Sequence, residues 1–225
     1  RAKRVHFGHT PVRDVGIYFS ARTRDWMGRD KPATYFQSVQ GAHKACVYEH
    51  FGFGFLFDEN LSLEGLQQFP VVCLPNTGIL LEREVDLFRR YVEEGGKLLV
   101  TGQSGQLDRL GKPLGASTLE GLIGARVKGR LEGADNWMRF GQEVEASKGL
   151  AAGLRPDWPF LVRGPATVYE PVTATPFGQL LDSHRAALAN PQGYNADWPL
   201  SARQVVGPAV LVHSVGQGTV LTFSG

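Results

Sequence analysis

The stretch Val71–Gly105, VVCLPNTGILLEREVDLFRRYVEEGGKLLVTGQSG, decides the fold. Val71, Val72, Cys73 and Leu74 form an apolar run bounded by Pro70 and Pro75. A run without polar alternation suits a strand buried on both faces. Leu81, Val85, Phe88 and Val92 then recur at helical spacing among Glu82, Arg83, Glu84, Arg89 and Arg90. That spacing predicts one apolar stripe on a charged helix. Gly95 and Gly96 tolerate the left-handed backbone that closes a helix, and Leu98, Leu99 and Val100 read as the next buried strand. A strand, a crossover helix and a second strand in so few residues imply parallel pairing with a right-handed connection. The helix breaks one local rule: no Ser, Thr, Asp or Asn stands at its N-cap position near Leu81.

Upstream, Val15–Phe19 reads as the first strand, after a lead-in over residues 1–13 that carries Arg1, Lys3 and Arg4. Ser20–Pro32 reads as a long polar loop. A helix follows over about Thr34–Phe51, with Tyr35, Val39, Ala42 and Cys46 on its apolar face. Phe53–Phe57 reads as the second strand and Leu61–Gln68 as a short helix. The first half is thus β-α-β-α-β-α-β, the signature of a doubly wound parallel sheet in the α/β class. After Gly105 the pattern changes to short β-like runs separated by Gly and Pro, with one or two helical turns at Ser117–Leu122. Val210–Val215 and Thr219–Phe223, joined around Gly216-Gln217-Gly218, predict a hairpin. We expect this half to extend the same sheet with antiparallel strands, so that residues 14–225 make a single domain.

The chain has 225 residues and a formal net charge of +2. Its basic residues are scattered, so charge makes no case for a nucleic-acid partner. No apolar run approaches the ~20 residues of a membrane span. The sequence does not open on Met and stops on a strand-like segment, from which we expect a piece of a longer protein whose compartment is left open. Cys46 and Cys73 read as inert core thiols. No His/Cys/Asp cluster has metal-ligand spacing. Gly52-Phe53-Gly54 precedes a strand, so it is not a dinucleotide fingerprint, and no cofactor is expected.

Four segments taken together, VGIYFSARTRDW, LPNTGILLEREVDLFRRYVEEGGKLLVTGQSG, LEGLIGARV and GQGTVLTFSG, resemble a known group. They look like the trimerisation domain behind the catalytic barrel of family 42 β-galactosidases and related glycoside hydrolases. Tyr91–Gly102 carries the resemblance most strongly. That domain belongs to the class I glutamine amidotransferase-like superfamily. The resemblance implies a flavodoxin-like, doubly wound, mainly parallel sheet with helices on both faces. Active members place a Cys on a sharp turn after a strand, with a His-x-Glu pair near the C-terminus. Here the matching turn is Gly102-Gln103-Ser104-Gly105, and neither His184 nor His213 is followed by that Glu. The departure implies that amidotransferase activity is gone and the fold remains.

Ser104 is the best remaining nucleophile candidate, with His184 and Asp182 as its conceivable base and orienter. The plainer reading is a turn serine that satisfies local backbone. In a doubly wound sheet, ligands bind outside the carboxyl ends of the strands where the winding reverses. Between the first and third strands that point gathers Ser20, Arg22, Arg24, Asp25 and Trp26 beside Asn76 and Thr77. These residue types suit a sugar or an acidic small molecule, and equally a subunit or interdomain contact. Trp137, Trp158 and Trp198 read as core. Glu82, Glu84, Glu93 and Glu94 read as a solvated helix face, not as paired glycosidase carboxylates. The leading expectation is a non-catalytic accessory domain of a larger carbohydrate-active enzyme, its partner a second copy or an adjacent catalytic domain of the same polypeptide. A small-molecule binding module and a serine hydrolase at Ser104 are the alternatives.

Overall fold

The structure is a computed structural model and describes residues 11–132, 135–141, 149, 151–155, 158–182 and 204–225. Arg1, Lys3, Arg4, His184 and Trp198 lie outside the described residues. The elements run β1 (Val15–Phe19), α1 (Ala21–Trp26), α2 (Ala33–Tyr48), β2 (Phe53–Phe57), α3 (Leu63–Gln67), β3 (Val71–Leu74), α4 (Glu82–Glu93), β4 (Lys97–Val100) and α5 (Glu120–Ile123). They continue as β5 (Ala125–Leu131), β6 (Asp135–Arg139), β7 (Phe160–Arg163), β8 (Ala166–Pro171), β9 (Thr175–Leu181), β10 (Val205–Val215) and β11 (Gly218–Phe223).

Nine strands form one sheet in the order β2-β1-β3-β4-β11-β10-β9-β6-β7, and β5 pairs with β8 in a separate ribbon. The junctions β2/β1, β1/β3, β3/β4 and β4/β11 are parallel. The junctions β11/β10, β10/β9, β9/β6 and β6/β7 are antiparallel. The sheet is therefore evenly mixed, which corrects the expectation of a mainly parallel one. The expected β10–β11 hairpin, joined by Gly216 and Gln217, is one antiparallel junction; the balance is tipped by β9, β6 and β7, which add three more beyond it.

Alternation along β1 shows how the layers are set. Ile17 faces Tyr35, Val39 and Cys46 of α2. Tyr18 faces the opposite way, into a core built from Leu66 of α3, Val85, Phe88 and Val92 of α4, and Leu122 and Ile123 of α5. Helices thus cover both faces. Tyr18 and Phe88 meet edge to face with ring centroids 5.3 Å apart. A third cluster, with Met138, Phe140, Phe177, Leu180 and Val210, fills the antiparallel half.

Local chemistry explains the element ends. Leu81 cannot cap α4 with its side chain, but its N–H donates to Glu84 Oε2 at 2.9 Å, so half of a capping box survives. Gly95 follows at φ +106°, closing the helix as its sequence predicts. The stretch Ser20–Pro32 is not simply a loop. Ser20 Oγ accepts from the Thr23 N–H at 3.1 Å and starts α1. At six residues, this helix has no room for an apolar stripe. No helix among the described residues is long and apolar enough to cross a membrane.

Phe88 is fully buried. Phe88→Ala is expected to lower unfolding free energy by about 3–5 kcal/mol in urea titration, through lost transfer energy and a cavity between β1 and α4. A loss under about 1 kcal/mol would show that this contact is not part of the core.

Candidate functional site

The parallel strands end together, and the turns that leave β3 and β4 are bonded to each other. Ser104 Oγ donates within this region, 2.8 Å from Thr101 O and 3.2 Å from Leu74 O, and accepts from the Thr77 N–H at 2.8 Å. The Gly105 N–H donates to Thr77 O at 2.9 Å. Asn76 Oδ1 accepts from the Gln103 N–H at 2.9 Å, and the Asn76 N–H donates to Thr101 Oγ1 at 3.1 Å. Asn76 adopts φ +51° and Gly102 φ +60°. A Cβ on Gly102 would lie 2.5 Å from Asn76 Oδ1, so glycine is required there by space as well as by backbone. Ser104 is 1% exposed. Its hydroxyl is engaged by backbone on both its donor and acceptor sides, the opposite of an exposed nucleophile on a strained elbow.

The residues expected to converge at the first and third strands are divided between several tasks. Ser20 is buried and caps α1. Its N–H donates to the Tyr35 hydroxyl at 2.8 Å, and burial pushes that phenol up to about 12. Arg22 turns to the α4 face. There it pairs with buried Glu84 and, at 3.4 Å, with buried Asp58. Glu84 is thus a correction: it is the cation's partner, not part of a solvated face, while Glu82, Glu93 and Glu94 are exposed. Burial and the Glu84 charge push the nearby Tyr18 hydroxyl well above the usual phenol range. Arg24 and Asp25 are exposed and bond to each other at 2.7 Å, which holds the Asp25 carboxyl below its ordinary value. Trp26 is half-exposed beside Arg29, whose guanidinium carbon lies 6.0 Å from the ring centroid. Thr77 is buried in the stitch between the two turns. Asn76, from the expected set, lines a cavity.

That cavity is a cleft of about 700 Å³ on the α2 face. Its floor is Cys73 and Leu99, and one wall is the small-residue side of α2 at Ser38, Gly41, Ala42 and Ala45. The opposite wall comes from Arg130 on β5 and from Arg163, Gly164, Pro165 and Thr167 around the β7–β8 turn. Asn76, Thr101 and Gln103, just past the ends of β3 and β4, close one end. The winding explains the opening. The helix after β1 lies on one face and the helix after β3 on the other, so beyond α2 no described helix covers Leu99, which is half-buried, while Cys73 is buried. The far wall is anchored to the stitch: Thr167 Oγ1 donates to Gly102 O at 3.0 Å and accepts from Gln106 Nε2 at 3.1 Å. Thr167 is also the register partner of Arg130 across β5 and β8. Burial pushes the Arg130 guanidinium below its ordinary value, opposed by the Glu132 charge.

The sequence reading missed Arg130, Arg163 and Thr167 as site residues. The alternation Arg126, Lys128, Arg130 on a β-like run marks an exposed strand face, but nothing local places that face against α2. Other expectations meet mixed outcomes. Cys46 and Cys73 are buried free thiols, and burial pushes Cys73 up to about 12, so it is protonated and inert at neutral pH. His213 donates from Nδ1 to Leu122 O and bonds Thr173 Oγ1 through Nε2, both at 2.9 Å. Trp158 is a correction: it is 57% exposed, with the Arg155 guanidinium carbon 5.6 Å from its ring centroid, and Trp137 is half-buried. Among the described residues no group of three His, Cys, Asp or Glu is placed to hold a metal ion.

No family model matches the chain, and no curated protein matches it in sequence. Solved structures do match its fold. A GH42 β-galactosidase from G. stearothermophilus superposes with a TM-score of 0.69 at 16% identity, over 97% of this chain and 28% of that one. An α-L-fucosidase isoenzyme 2 from Paenibacillus thiaminolyticus does so with a TM-score of 0.68 at 15% identity, over 99% and 31%. A ThuA-like protein from Bacteroides uniformis gives 0.58 at 13% identity, over 97% of this chain and 84% of that one. The chain therefore spans less than a third of the glycoside hydrolases whose fold it shares.

Two substitutions test this geometry. Ser104→Ala strips the buried Thr77 N–H of its acceptor and is expected to cost about 1–3 kcal/mol of stability by thermal or urea unfolding. Arg22→Met leaves Glu84 and Asp58 buried without their cation and is expected to cost about 3–5 kcal/mol, partly recovered in Arg22→Met/Glu84→Gln. Wild-type stability in either single variant would contradict the assigned contacts.

Proposed function

We propose that this chain is a non-catalytic accessory domain of a larger carbohydrate-active enzyme, serving oligomerisation or supporting the active site of a neighbouring catalytic domain. The observation that carries the reading is the superposition of nearly the whole chain on under a third of two glycoside hydrolases. The order β2-β1-β3-β4-β11 of the parallel half supports the flavodoxin-like, amidotransferase-like assignment within that reading. The burial of Ser104 argues against the hydrolase alternative.

A surface feature supports a packing role. β2 is an edge strand, and Phe55 and Phe57 on it are each 42% exposed, as is Phe36 on α2. Phe57 and Phe36 both reach Phe19, with ring centroids 6.0 Å away, so the aromatics form one connected face. Contiguous exposed apolar surface of this kind marks interaction sites, and an uncovered edge strand is otherwise an aggregation hazard. The second reading, a small-molecule or sugar-binding module, is favoured by the cleft beneath α2.

The purified chain is expected to show no turnover of nitrophenyl glycosides or of glutamine. Phe55→Ser/Phe57→Ser is expected to reduce its self-association in sedimentation velocity, or its affinity for a separately expressed catalytic domain. Hydrolysis of either substrate class by the isolated chain would overturn the accessory reading.

A further inference from the structure

The charged side chains that line the cleft beneath α2 are all basic. Its charged lining side chains are Arg130 and Arg163, and no Asp or Glu lines it. The chain as a whole is nearly balanced, at 24 basic and 22 acidic residues. Arg163 has no ion-pair partner among the described residues. Arg130 meets Glu132 only through Nε, at 3.1 Å, and that carboxylate belongs to a side chain 74% exposed. Among the described residues, no ion-pair partner meets the terminal nitrogens of either guanidinium group. Two guanidinium forks on one wall match the planar, two-oxygen geometry of a carboxylate.

The rest of the lining argues for a ligand that is more than an anion. The volume falls in the usual range for small-molecule sites, about 300–1,000 Å³, and is larger than a bare carboxylate needs. Gln37 and Asn76 bring side-chain amides to the rim, which pair with hydroxyls as donor or acceptor, while the Gln103 amide donates to Met27 Sδ. Cys73 and Leu99 supply an apolar floor, and Ala42 an apolar wall, against which C–H groups can pack. Asn76 holds a left-handed backbone at this point, and non-glycine residues in that region cluster at ligand sites. One end of the cleft, at Asn76, Thr101 and Gln103, lies just past the carboxyl ends of β3 and β4, where wound sheets receive their ligands.

We propose that this cleft binds a sugar carboxylate of the hexuronate type, with Arg130 and Arg163 on the carboxylate, the amides on the hydroxyls and the Cys73–Leu99 floor under the ring. The proposal rests on the second reading above, a binding module, and adds the ligand class. Calorimetric titration of the whole chain with D-glucuronate, D-glucose and glucose 6-phosphate tests it. Glucuronate is expected to bind at least tenfold more tightly than glucose, and its affinity to fall as salt rises. Arg130→Gln and Arg163→Gln are each expected to weaken glucuronate binding at least tenfold, while Arg89→Gln on exposed α4 leaves it unchanged. Unaltered thermal unfolding of the variants separates lost binding from lost structure. Equal binding of glucose, indifferent to both arginine variants, overturns the carboxylate assignment but leaves a binding module standing. Tighter binding of glucose 6-phosphate than of glucuronate transfers the site to phosphates and overturns the proposal. Binding of none of the three overturns both the proposal and the reading beneath it.

Discussion

Between the exits of β3 and β4, one hydroxyl and one amide hold two turns in register. Ser104 accepts the Thr77 N–H while donating back to strand-end carbonyls, and Asn76 accepts the Gln103 N–H. These backbone groups are buried or half-buried, and leaving such donors without partners costs about 1–3 kcal/mol each. The brace also fixes chemistry. A nucleophile needs its oxygen exposed and one side free for a base. Here the oxygen is enclosed and both sides are bonded to main chain. The same brace carries Gly102, whose carbonyl receives Thr167 Oγ1 and so ties the second half of the chain to the ends of the parallel strands.

From that tie follows the shape of the cleft. Crossover helices change faces between the β1 unit and the β3 unit, which leaves Leu99 half-buried on the α2 face beside buried Cys73. In a fully wound sheet another helix would lie there. This chain instead places the β5–β8 ribbon and the β7–β8 turn at the far side, with Thr167 as the anchor and Arg130 beside it in register. An opening with an apolar floor, a small-residue wall and a cationic wall results. On the opposite face half-buried Arg22, with buried Glu84 and Asp58, draws α1 against α4 and the end of β2. Two of the arginine-rich features near the strand ends thus have different physics. One is a compensated ionic lock, and the other presents charge to a cavity.

Much of the parallel half was legible because its signals are local. Val71–Leu74 and Leu98–Val100 are apolar runs, α4 has a clean stripe, and Gly95 ends it. The two-residue link before β11 likewise announced a hairpin. α1 was missed because a six-residue helix has no periodicity to display, although Ser20 followed by Thr23 carries a cap. Glu84 was misread because helical spacing shows only the face it occupies, and its partner Arg22 comes from 62 residues away. The even balance of parallel and antiparallel junctions was hidden for a related reason: strand order in the second half depends on pairings such as β9 with β6, which no short segment encodes. The cleft was half visible. Asn76 follows from the strand-end rule, while Arg130 and Arg163 reach it only through the ribbon's tertiary placement.

The turn after β4 is a brace and not a working elbow. Native-state amide hydrogen exchange reads this directly at Thr77, Gln103 and Gly105, whose N–H groups the brace bonds. The account predicts that all three are protected, with Thr77 and Gly105 exchanging only through the large-scale openings that release β3 and β4. Exchange of Thr77 and Gly105 at rates typical of a surface loop, while β3 and β4 stay protected, would mean that the Ser104 hydroxyl is free. It would also contradict the non-catalytic reading at its structural root.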